Sequence, residues 1–240
     1  MAVFTIADDP NTCTTDNVTS TLAAAYTGRI DQYGRPTVGC MIICTGGIDL
    51  NNEASKNQAL DTVIHEFAHM LGFNSDLFAF FVDPLTGKQR TTNKTPQSVL
   101  CVDGVYRNVV LPSNTTIILK NNFQGVRMAE LVTPTLQNIV RSQFDCLNAT
   151  GVRLENQLLT DNDCFGSHWE ARIFHSEIMT AVSTGIKRFL SPLTLAYFED
   201  TVRTVHLMKP VTFVCAFLML YSFCFVTELI TTGLVSSKLQ

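Results

Sequence analysis

At 240 residues, with 46% hydrophobic and 16% charged side chains, the chain can bury a substantial core and is not of disordered composition. A net charge of −4 with no run of lysine or arginine argues against nucleic acid as a partner. Eight cysteines without a close Cys-x-x-Cys pair argue against a cysteine-built zinc site and suit a disulfide framework.

In chain order, Met1 to Pro10 offers no basic residue and only a short apolar stretch before Asp8-Asp9, so no secretory leader is legible. The reading is an incomplete or alternative product whose true N-terminus lies upstream, with a cytosolic form as the other option. Tyr33-Gly34-Arg35-Pro36 reads as a turn, and Thr37 to Cys44 as a buried strand. Ser55-Lys56-Asn57-Gln58 reads as a capping box that starts a helix near Ser55. Leu60, Val63, Ile64, Phe67, Ala68 and Leu71 then recur at helical spacing, and Gly72 ends the helix as a left-handed cap. Further on, Asp83-Pro84-Leu85-Thr86-Gly87-Lys88 is a turn and Val105 to Leu119 reads as short strands or loops. Glu130 to Phe144 reads as a helix interrupted early by Pro134, with a packing role.

The chemistry sits in His65-Glu66-Phe67-Ala68-His69. On a helix, His65 and His69 stack one turn apart and can point at one ion, while Glu66 reaches a water beside that ion rather than the ion itself. Glu66 therefore has the position of a general base. The stripe puts both histidines beside the apolar face, toward a cleft. A third ligand must come from the remaining histidines, and Ser75 stands where the commonest extended zinc pattern puts it. That ligand comes from far along the chain, with His168 and His175 competing and His206 reading as a bystander.

His65-Glu66-Phe67-Ala68-His69-Met70-Leu71-Gly72-Phe73, followed by Gly166-Ser167-His168-Trp169-Glu170 and Glu177-Ile178-Met179, resembles the leishmanolysin family of zinc metalloendopeptidases. Cys13 to Asn17, Gln32 to Pro36 and Leu195 to Thr201 extend the resemblance over about residues 11 to 201. It implies an α+β, metzincin-like fold with an active-site helix, a mixed sheet and an insertion from about Phe73 to Ser167. It also implies His168 as third zinc ligand, with small Gly166 and Ser167 letting the backbone approach the metal, and Met179 as the methionine beneath the ion. One zinc ion, protein or peptide substrates, and peptide hydrolysis by a zinc-activated water with Glu66 as base follow from the same resemblance. In that clan the strand before the active helix pairs with an extended peptide, which here would be Thr37 to Cys44.

The corresponding organisation is residues 1–74 as the helix-bearing catalytic part, 75–165 as the insertion, 166–205 as the third-ligand and methionine segment, and 206–240 as an apolar tail. That tail departs from the family's Gly-Trp-Tyr and cysteine-rich continuation. Its residues 211–227 form a candidate membrane anchor at the lower edge of bilayer-spanning length. Sequons at Asn17, Asn93, Asn114 and Asn148, together with the cysteines, suit a glycoprotein in the secretory pathway or at the cell surface. Two function classes stand beside the protease: a family member that binds zinc or a partner without catalysis, and a membrane adhesion protein.

Overall fold

The computed structural model describes residues 1–13, 21–32, 34–49, 51–182 and 186–201. They fall into two compact units, one ending at Gly72 and one beginning at Phe73. The first is a three-stranded sheet carrying one long helix. Strands β1 (Ala2–Ala7), β2 (Ala23–Ile30) and β3 (Pro36–Ile43) are ordered β1-β3-β2, with β1 parallel and β2 antiparallel to β3. The mixed sheet is as the sequence suggests. The peptide-pairing expectation for β3 is corrected: both of its edges are already used, by β1 and β2, so its backbone groups have no side left for an added chain. Among the described residues, the edges of this sheet are β1 and β2.

Helix α1 (Glu53–Met70) lies against β2 and β3. Val63, Phe67 and Met70 are buried on it, and each side chain so removed from water contributes about 1.5–3 kcal/mol. The helix approaches the sheet most closely at Gly39, where a Cβ would stand 2.7 Å from Met70 Sδ. Its start differs from the expectation. Asn52 is the N-cap, accepting from Ala54 N at 2.9 Å and Ser55 N at 3.3 Å, whereas the Ser55 hydroxyl turns back to accept from Asp49 N. Its end agrees: Gly72 adopts φ 109°, in the left-handed region. A Cys13–Cys44 disulfide ties the entry of this unit to the end of β3.

The second unit holds a hairpin of β4 (Gln97–Leu100) and β5 (Tyr106–Val109), and an antiparallel sheet of β6 (Ile117–Asn121), β7 (Arg127–Leu131) and β8 (Val152–Arg153). Helices α2 (Pro134–Gln143), α3 (Ala171–Phe174) and α4 (Pro192–Asp200) complete it. The reading of one helix from Glu130 is corrected. Glu130 and Leu131 belong to β7, and Pro134 opens α2 at its first turn, where a missing N–H costs nothing. The core is aromatic: Phe73 stacks 4.3 Å from Tyr197 and meets Trp169 edge-on at 4.8 Å, with Phe78 and Phe81 around Tyr197.

Cys101 pairs with Cys164, while Cys40 and Cys146 are unpaired. Among the described residues no helix is long and apolar enough to cross a membrane, and residues 211–227 lie outside them. Asn93, Asn114 and Asn148 are exposed; Asn17 is outside the described residues.

Candidate metal centre

The last two turns of α1 carry His65, Glu66 and His69, each 7% exposed. They are buried more deeply than a position beside the stripe suggests. Helical spacing brings the two imidazoles together: their Nε2 atoms are 3.1 Å apart and their rings meet edge-on, with centroids 4.7 Å apart. Two nitrogens bound to one tetrahedral zinc at about 2.0–2.1 Å stand about 3.3 Å apart, so this pair fits a shared ion without rearrangement. Thr27 on β2 steadies the same turn, its hydroxyl lying 3.3 Å from the carbonyl of His69 and 3.4 Å from that of Met70.

His168 belongs to the second unit and is 5% exposed. The chain returns to it through Ser167, whose hydroxyl accepts from Ser75 N at 3.1 Å and donates to Ser75 Oγ at 3.0 Å across 92 residues of sequence. The segment then pairs through isolated bridges, Trp169 with Leu154 and with Thr180. Glu155 N donates to the carbonyl of His168 at 3.0 Å, and Trp169 N to that of Met179 at 2.8 Å. Met179 is fully buried next to this ladder. The structure also gives Gly166 a different reason from the expected one. A Cβ there would lie 2.3 Å from Glu155 O, so its smallness serves close packing on Glu155.

Glu155 is the residue that motif reading misses. Its buried carboxyl is hydrogen-bonded to His168 Nδ1, and no local pattern in the sequence announces it. The rival ligand His175 is exposed at the C-terminal cap of α3, and His206 lies outside the described residues. Among the described histidines, His65 and His69 of the first unit and His168 of the second are buried.

Two further carboxyls shape the surroundings of His168. Glu170 accepts two bonds from the Arg172 guanidinium, which holds its carboxyl below the ordinary range, with Arg153 adding to the effect. Glu177 goes the other way. Burial pushes its carboxyl up, against the opposing hydrogen bonds from Ser191 and Thr194.

A family model for leishmanolysin matches residues 11–205. The chain belongs to the leishmanolysin family. Within that family it is 32% identical over 191 residues to a leishmanolysin-like peptidase of Caenorhabditis elegans, covering 74% of this chain and 27% of the relative. The leishmanolysin-like peptidase of Drosophila melanogaster is 34% identical over 199 residues, at 75% and 27% coverage. The human ciliated left-right organizer metallopeptidase is 26% identical over 183 residues, at 76% and 20%. The chain thus spans about a quarter of the length of the curated relatives it matches. The buried, adjacent imidazoles of His65 and His69 on α1 suit a metal that takes nitrogen donors.

Proposed function

We propose that this chain is a zinc-dependent endopeptidase in which His65, His69 and His168 hold one ion and Glu66 is the general base. The observation that carries the reading is the approach of the His65 and His69 Nε2 atoms to 3.1 Å on a turn that also bears Glu66. Bound there, zinc supplies Lewis acidity, lowering the pKa of a water to about 7 and polarising a peptide carbonyl. The Glu66 carboxylate takes the proton from that water as it attacks, and then delivers it to the departing amine nitrogen. The burial of Glu66 removes its carboxylate from bulk water, where its interactions with nearby charges are screened less. His168 is the third ligand in this reading, supported by its burial, the exposure of His175 and the family motif around it. Met179 takes the place beneath the ion, supported by its full burial and the bond from Trp169 N to its carbonyl. Substrates are proteins or peptides cleaved at internal bonds.

Metal analysis of the purified chain, beside His168→Ala and His175→Ala variants, tests the ligand set. One zinc per chain in wild type and His175→Ala, lost in His168→Ala, is the expected result. Unchanged zinc in His168→Ala overturns the ligand assignment. Cleavage of unfolded protein that stops on adding a chelator is expected as well, and zinc-loaded protein that cleaves nothing would favour the non-catalytic family member.

A further inference from the structure

Glu155 touches His168 at two independent points. Its main-chain N–H donates to the His168 carbonyl at 3.0 Å, and its side-chain carboxyl oxygen lies within hydrogen-bond distance of His168 Nδ1. The approach is tight enough that residue 166 has no room for a Cβ, which would meet Glu155 O at 2.3 Å and Glu155 Cγ at 2.5 Å. Both partners are buried, Glu155 at 8% exposure and His168 at 5%, so water does not compete for the contact. The neighbouring residues extend the same ladder, Leu154 opposite Trp169 and Trp169 beside Thr180.

An ionised carboxylate has only acceptor oxygens, so against it the shared proton belongs to Nδ1 of the imidazole. In a neutral ring that leaves the lone pair on Nε2, the nitrogen that a metal would use. We propose that Glu155 is a positioning residue for His168, fixing its Nδ1–H tautomer and ring orientation so that Nε2 is the donor. The inference rests on the reading of His168 as a metal ligand, and it assigns to that ligand the buried acceptor that metal-binding histidines need on their other nitrogen. Backbone pairing sets where His168 stands, and the carboxylate sets how its ring is turned.

The test uses the full chain, nitrogen-15 labelled, in metal-stripped and zinc-loaded forms. Long-range proton–nitrogen correlation of the stripped wild type should show His168 as the Nδ1–H tautomer. Glu155→Ala should yield a mixture of tautomers and weaken zinc affinity, read by chelator competition, roughly 10–100-fold. Glu155→Gln retains a carbonyl acceptor and should rescue most of the tautomer preference and part of the affinity. A protonated Nε2 in stripped wild type overturns the proposal without any variant, as does unchanged zinc affinity in a folded Glu155→Ala chain. Stripped wild type that shows the Nδ1–H tautomer yet takes up no zinc refutes the metal reading while leaving the Glu155 contact standing.

Discussion

The Nε2 atoms of His65 and His69 stand 3.1 Å apart within one turn of α1. Two lone pairs this close repel unless a proton or a cation lies between them, so a neutral pair shares a proton here and a bound ion would replace it. Glu66 lies between them in sequence and carries no imidazole of its own to bind with. In the proposed mechanism, holding the metal and moving the proton belong to different side chains and can be separated by substitution.

Glu66→Ala and Glu66→Gln should keep the metal stoichiometry of wild type and lose turnover, by about 100-fold or more, the range that a positioned acid–base group supplies. Metal content and cleavage of a quenched peptide, measured on the same preparation, check this. Peptidase activity at the wild-type level in a zinc-loaded Glu66→Ala chain would falsify the assignment of the base.

The Cys101–Cys164 bridge closes a segment of 63 residues within the second unit, from the end of β4 to just before Gly166. Chain-entropy arguments give a loop of that length about 4 kcal/mol of stabilisation. Cys101→Ser with Cys164→Ser should lower the denaturation midpoint of this unit accordingly. Repeating both measurements under reductant, which also opens Cys13–Cys44, should remove the difference between wild type and the double variant. Equal midpoints without reductant would show that the Cys101–Cys164 bridge contributes nothing to stability.

The helix with its paired histidines was legible because period, motif and terminal glycine all act locally: Gly72 does adopt φ 109° where the stripe ends. The helix start was not, because two polar side chains competed and Asn52 won the cap while Ser55 bonded Asp49 N. Pro134 misled for a related reason. An apolar run on both sides of it looks like one broken helix, yet Leu131 pairs with Ile117 as strand and the helix begins at the proline. Glu155 and the central place of β3 were invisible, since each depends on partners that the local pattern does not name.

Asp200, the last residue of α4, is another tertiary device of this kind. Its carboxylate accepts from Thr135 N at 2.9 Å and Leu136 N at 3.1 Å, capping α2 in place of the Thr133 side chain. Asp200 is 1% exposed, so removing it strands the buried Leu136 N–H and the half-buried Thr135 N–H. Asp200→Ala should cost about 1–3 kcal/mol, and Asp200→Asn, which keeps one acceptor oxygen, less. Urea unfolding of the three proteins ranks them. An order in which Asn is worse than Ala would contradict the capping role.

Glu177 supplies the pH dependence. It is 4% exposed; Thr194 Oγ1 donates to its Oε2 at 2.7 Å while accepting from Trp169 Nε1 at 3.0 Å. Burial nevertheless dominates and raises its carboxyl above the ordinary value. The folded state then binds this proton more tightly than the unfolded chain, whose glutamate titrates at about 4.3. The resulting stabilisation is fully present below that value and is lost as pH rises through the folded one. Glu177→Gln cannot ionise and keeps an oxygen for Thr194, so its stability relative to wild type should improve as pH rises. Denaturant unfolding of both metal-stripped proteins at about pH 4 and about pH 7 gives two differences, of which the second should favour glutamine more. Equal differences at the two pH values would mean that the carboxyl titrates alike in both states. Other groups cancel in this comparison, because the two chains differ only at residue 177.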